Sequence, residues 1–457
     1  MKRTLLVSIL ASSAACLALA DEKESTAMKS WPAFRGPLAT GVAPHANPPA
    51  EWSETENIRW KKELPGPGHA SPIVWDDRIY VLAVVAQGTS VAPGDPPPEA
   101  RGHGRRPRVK PTAVHQFVVI ALERKTGETI WQTVVREEVP HESGHQTASQ
   151  ASPSPVTDGT HVYAHFGSRG LYCLDRDGKV KWQRDFGEMS TRNEFGEGSS
   201  PALHGNTLVV NWDHEGDSFI VALDKRSGEE LWRVARGEPT SWSTPLIVED
   251  GGRPLAVVSA TRRVRAYDLK TGREVWACGG LGVNCIPTPV ADAERVFVMS
   301  GYREAAGMAI RYPGAKGDIT ESDAVAWRLD RGLSYVPSPL LYDGKLYVLE
   351  RFRAVLSCLD LGSGEAHYRE QRLEGLGNIY ASPVAADGRI YVIDRSGKAV
   401  VFRHGSKFEL LAENELDDAF DATPAIAGDE LYLRGHRHLY CVAESRAPLA
   451  PPTASAR

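Results

Sequence analysis

The chain has 457 residues, 42% of them hydrophobic and 24% charged, and a formal net charge of −5. That length exceeds the usual size of one domain, yet all-β repeat folds reach it as a single unit. The weakly acidic balance and the lack of a long basic run exclude a nucleic-acid partner, and Arg105-Arg106 reads as solvated in its Gly/Pro-rich loop. No apolar run after the leader reaches the roughly 18 residues of a membrane span.

Residues 1–20 have the form of a signal peptide: Lys2-Arg3, an apolar core at Leu5–Leu10, and Ala18-Leu19-Ala20 before Asp21. The expectation is an exported protein, periplasmic or extracellular, with lipidation at Cys16 as an alternative anchor. Residues 21–50 are polar and proline-rich, with a cap segment at Trp31–Pro37. Asn57–Leu64 then reads as a fourth strand with no strand before it.

From there a Ser/Thr-Pro pair opens a strand eight times, with prolines at 72, 155, 201, 245, 289, 339, 383 and 424. Successive prolines lie 83, 46, 44, 44, 50, 44 and 41 residues apart. The last six intervals match the roughly 40–50-residue period of four-stranded propeller blades. The first is one blade with an insertion between Gln87 and His115, where Pro, Gly and Arg predict a loop without a core of its own. Ser200–Trp232 shows the unit most clearly: strands at Pro201–Leu203, Thr207–Val210 and Phe219–Leu223, and a fourth ending on Trp232. The fifth blade carries a shorter excess at Tyr312–Ser322. Three strands follow Thr423-Pro424, ending at Leu439–Val442, and residues 445–457 form a Pro/Ala tail expected to be disordered. The fold expected is therefore an all-β, eight-bladed propeller over 51–444. Asn57–Leu64 completes the last blade, because a closed ring leaves no open sheet edge.

Trp131, Trp182, Trp232 and Trp276 each stand four residues after a turn glycine, and Tyr368 does so after Gly364. With Trp60 and Trp327 they are the expected blade-docking aromatics, since a large ring on an outer strand stacks against the neighbouring blade. The repeat Ala222-x-Asp224-x-x-x-Gly228-x-x-x-Trp232, with its copy from Ala266 to Trp276, resembles the tryptophan-docking repeat of PQQ-type eight-bladed propellers. That superfamily includes the quinoprotein alcohol dehydrogenases and the non-catalytic propeller lipoprotein of the outer-membrane β-barrel assembly machinery. The whole sequence looks most like its secreted bacterial members without an assigned activity.

The resemblance implies a vicinal cysteine pair, a calcium ion and a catalytic aspartate in an active dehydrogenase. This chain has no adjacent cysteines and is short for that class, so neither PQQ nor calcium is expected as a cofactor. Cys173, Cys358 and Cys441 replace an alanine of other blades and read as small buried fillers. Cys278 and Cys285 are left as a pair that could bond after export. No catalytic residue and no metal site is assigned: His141 and His145 have ligand spacing, but in a loop that imposes no geometry.

The loops after the second and fourth strands of each blade must emerge on one face. They collect His145, Arg169, Arg192, Asn193, Glu197, Asp213, His214, Glu215, Trp242, Arg262, Asn284, Tyr335, Tyr380, Asp421, Arg434 and His436 as candidate ligand-binding residues at the channel mouth. Asp213, Glu215 and Asp217 suit either calcium or a solvated turn. The arginines suit either a neutralising network or a polar ligand such as a sugar, an organic acid or a peptide. The function expected is a monomeric binding or interaction scaffold for a polar small molecule, a glycan, a peptide or an envelope protein. The alternatives are a PQQ/calcium oxidoreductase and an envelope assembly factor.

Overall fold

In the computed structural model, residues 25–88, 110–350 and 353–444 are described. The expected signal peptide with Cys16, residues 89–109 of the first-blade insertion, Arg351 and the 445–457 tail lie outside the described residues. Eight sheets of four antiparallel strands follow one another, and seven take those four strands from a single stretch of the chain, the fourth gaining a short fifth strand from the next blade. The third blade is representative, with strands Ala202–His204, Thr207–Trp212, Phe219–Asp224 and Glu230–Ala235 paired in order. The eighth takes Ala425–Ala427, Glu430–Arg434 and His438–Val442 from the end of the chain and Ile58–Glu63 from its beginning. Trp60 pairs with Cys441 there, which closes the ring as expected.

The inner strands are held by a belt that explains the Ser/Thr-Pro repeat. The backbone N–H of Ser71 donates to Ser154 Oγ at 2.9 Å, that of Ser154 to Ser200 Oγ at 2.9 Å, and that of Ser200 to Thr244 Oγ1 at 3.1 Å. The pattern passes on through Thr288, Ser338 and Ser382 to Thr423, and Ser71 Oγ donates to Thr423 O at 2.8 Å. From Ser154 to Thr423 each hydroxyl thus satisfies a buried amide of the preceding blade, while Ser71 closes the belt as a donor, and the proline that follows brings no N–H needing a partner. Thr244→Val keeps the shape and removes the acceptor for the Ser200 amide. It is expected to cost about 1–3 kcal/mol by chemical denaturation, the penalty for orphaning a buried donor.

The outer strands are held by the tryptophans. Trp60, Trp131, Trp182, Trp232 and Trp327 each donate Nε1–H to a carbonyl in the next blade, at 2.6 to 3.0 Å. Their rings lie on Gly127, Gly178, Gly228, Gly272 and Gly364, where a Cβ would come within 2.6 to 2.8 Å. These glycines are therefore required twice, for positive φ and for the ring laid on them. Two expected docking aromatics behave differently. Trp276 is fully buried and its Nε1 has no acceptor among the described residues. No described glycine of the fifth blade lies against its ring; instead Gly317–Asp318 of the 312–322 excess adds a short parallel strand alongside Trp276 and Ala277. Tyr368 meets Phe408 edge-on at 6.4 Å. In the seventh blade Ala412 occupies the docking position, and Trp52, from the segment before the first strand, stacks on Tyr391 at 6.4 Å.

Residues 31–43 run across the channel at the far ends of the inner strands. Trp31 pairs with Val74 of the first blade, and Pro32 O accepts from Thr157 of the second. Arg35, buried with no carboxylate partner among the described residues, donates to Pro339 O and Pro383 O at 2.8 Å each, and Gly41 O accepts from Ala385 of the seventh blade. The channel is stoppered on this side.

Candidate functional site

Above the stopper the channel widens into a cavity of about 480 Å³. Phe34 belongs to its wall, and so do the belt residues Ser154, Ser200, Thr244, Thr288, Ser338, Ser382 and Thr423. A second tier comes from the residue two places before each belt position: His69, Ser152, Gly198, Trp242, Ile286, Val336, Tyr380 and Asp421 all line the cavity. The propeller repeat therefore builds the wall, with a uniform tier of hydroxyls beneath a tier that differs in every blade.

Of the residues expected at the mouth, His145, Glu197, Trp242, Tyr335, Tyr380 and Asp421 line this cavity. Trp242 is partly exposed and donates Nε1–H to Gly196 O at 2.7 Å. Tyr335 stacks on Tyr302 at 5.0 Å, and its hydroxyl accepts from Asn284 Nδ2 at 3.2 Å. Asn284 thus positions a wall residue without being one. Glu197 accepts the Ser168 N–H at 2.6 Å and the Ser168 hydroxyl as well. Burial pushes its carboxyl above the usual carboxylate range in spite of those bonds.

The rest of the expected set stands back from the cavity, for identifiable reasons. Asp213 and Arg236 form an ion pair at 2.6 Å whose side chains are 0% exposed, and Ser241 Oγ donates to Asp213 at 2.6 Å. Asp213 is therefore committed inside the protein and is not a loop ligand. Buried His214 takes the Ser190 N–H at 3.1 Å, and Glu215 accepts from Thr240. Arg169 is buried against Glu138 at 2.6 Å and His141. Arg192 lies in a short 3₁₀ turn, where its N–H donates to Thr240 Oγ1, and Asn193 beside it is exposed with positive φ. Arg262 donates to Gly237 O. Arg434 is 1% exposed, and its guanidinium nitrogens have no acceptor among the described residues. Cys278 and Cys285 are both free, which corrects the suggested disulfide. Cys278 sits among Met308, Ile310 and Tyr312, whereas the Cys285 thiol donates to Gly282 O and lies near Glu238 and Asp213.

One corner of the wall was only half visible in the sequence. Asp421 Oδ2 lies 2.8 Å from His436 Nε2 and 3.8 Å from His69 Nε2, and Arg395 Nε donates to Asp421 Oδ1 at 2.6 Å. Burial disfavours the Asp421 charge, but the His436 bond, His69 and Arg395 outweigh it and hold the carboxyl at about 2. Burial lowers His69 to about 4. The imidazoles of His69 and His436 stack at 5.0 Å, and Arg395 sits 4.8 Å over the Tyr380 ring. His69 escaped the loop reading because it precedes the first blade; its place two residues before Ser71-Pro72, matching Asp421 before Thr423-Pro424, was the available signal.

Eight four-stranded blades docked by tryptophans onto turn glycines define a PQQ-like propeller. The family model described as outer membrane protein assembly factor BamB matches residues 50–211 and 216–446, and the chain belongs to that family. BamB of Yersinia pestis is 22% identical over 306 residues, covering 65% of this chain and 62% of its own length. BamB of Shewanella oneidensis is 23% identical over 294 residues, covering 62% and 66%. The chain thus spans less than two thirds of each of these relatives. Among solved structures, the quinohemoprotein alcohol dehydrogenase of Comamonas testosteroni superposes with a TM-score of 0.63 at 12% identity, over 94% of this chain and 83% of that one. BamB of Moraxella catarrhalis gives 0.52 at 15%, over 72% and 90%. These likenesses show the fold. No helix among the described residues is long and apolar enough to cross a membrane.

Proposed function

We propose that the protein is an exported, non-catalytic binding propeller that holds a small polar, ring-bearing ligand, such as a glycan fragment, in the channel-mouth cavity. The observation that carries this reading is the two-tier wall. Trp242, Tyr335 and Tyr380 offer flat faces for stacking, and the belt hydroxyls beneath them accept one amide each and keep a hydrogen to donate. A largely apolar cavity with a few placed polar groups is the usual form of a small-molecule site.

The lining argues against a quinone cofactor. PQQ is a tricarboxylate, while among the described residues this wall carries Glu197 and Asp421 and neither Arg nor Lys. Calcium calls for about six to eight oxygen ligands, and these two carboxylates sit on loops of different blades. With no adjacent cysteines in the sequence either, the residues do not fit a quinoprotein centre.

A second reading, favoured by the family match, makes the chain an envelope assembly factor that docks a partner protein. The test of the first is a melt of the full chain against a panel of mono- and oligosaccharides. A sugar at a hundred times its dissociation constant should add about 2.7 kcal/mol of stability. Trp242→Ala with Tyr380→Ala should abolish that gain. A panel without any shift, or a shift that survives the double substitution, refutes the glycan reading.

A further inference from the structure

We propose that His69, Asp421 and His436 form a binding site for one first-row divalent transition-metal ion at the rim of the cavity. The site stands independently of the glycan reading. The three residues offer ligand atoms that all lie within 4.8 Å of one another. An ion held at about 2.0–2.2 Å by each ligand needs donors roughly 3–3.5 Å apart, and Asp421 Oδ2 lies 2.8 Å and 3.8 Å from the two Nε2 atoms. Two imidazoles with one carboxylate select zinc, cobalt, nickel or ferrous iron over calcium and magnesium.

The alternative is a closed network in which Asp421 is satisfied by protein alone. His69 decides between them. Arg395 and His436 already pair with Asp421, Arg395 also placing its Nη2 3.3 Å from Oδ2. A second imidazole at 3.8 Å makes no hydrogen bond. A metal between the three would use every donor, leaving Arg395 on Oδ1 as the outer partner that orients the carboxylate.

The backbone fixes this arrangement before any ion arrives. His69 and Asp421 each stand two residues before their belt position, and Ser71 Oγ donates to Thr423 O at 2.8 Å, locking the two loops side by side. The His436 N–H donates to Ala419 O at 2.8 Å, which brings the third donor to the same corner. Because His69 and Asp421 line the cavity, the coordination positions left open face it. Arg395 and Arg434 add positive charge nearby, so the open position takes an anionic co-ligand such as hydroxide or a carboxylate.

The test uses the full chain, stripped with a chelator and titrated with Co2+, then with Zn2+ against a chromophoric competitor. One equivalent should bind, with visible cobalt bands of nitrogen and oxygen ligation that Zn2+ displaces. His69→Ala and His436→Gln should each weaken Zn2+ by about 100-fold or more, beyond the usual loss from an outer partner. His204→Ala, on the surface, should not. His69 meets Asp421 only at 3.8 Å, so its replacement removes a donor with little call on the fold. No stoichiometric binding by the parent, or an affinity unchanged in His69→Ala and His436→Gln, overturns the site.

Discussion

A chain lacking residues 25–64 is expected to lose its cooperative melt and to aggregate. The deletion removes Ile58–Glu63 and so exposes His438–Val442 as an open edge in the last blade. It also removes Trp60 from Gly127, Trp52 from Tyr391 and Trp31 from Val74, contacts that tie the first, seventh and eighth blades together. Trp60→Ala alone, at a half-buried ring, should cost less than the about 3–5 kcal/mol of a fully buried aromatic but more than about 1 kcal/mol, in a urea titration followed by circular dichroism. A deletion that melts like the parent would contradict closure by this strand.

Asp213→Ala is expected to cost about 3–5 kcal/mol, because it strands the Arg236 guanidinium in a site that water does not reach. Arg236→Ala should cost about as much for the converse reason. Replacing the two together by Leu and Met of similar volume should recover most of the loss. The loop position of Asp213 suggests only a modest effect, so the size of the single-variant shift separates a committed ion pair from a solvated ligand. A loss under about 1 kcal/mol, the range of exposed pairs, would mean that water enters the pair.

The fold was legible because its cues are local and periodic. Ser/Thr-Pro, the turn glycine and the outer tryptophan recur at fixed offsets, and each has one mechanical task. The site was legible only in part. Trp242, Tyr335, Tyr380 and Asp421 were reached through their loops, whereas Asp213, His214 and Arg169 have the same loop address and turn inward. Their partners Arg236, Ser190 and Glu138 stand 20 or more positions away or on another loop, and no spacing rule in a single sequence connects them. Trp52 was missed for a related reason: the vacancy it fills is Ala412, and a missing side chain gives no pattern. His69 was hidden by its place ahead of the first repeat, where the loop reading did not begin.

The segment from Trp31 to Ala43 makes the channel a blind well. Whatever occupies it must enter and leave by one mouth, so association and release share a single route. A protein seated on that mouth would act as a lid, slowing exchange of the occupant in both directions. If the lid also touches the occupant, each strengthens the other's binding by the same factor. Ligand capture and partner docking, set apart above as rival readings, would on this architecture be two halves of one coupled equilibrium.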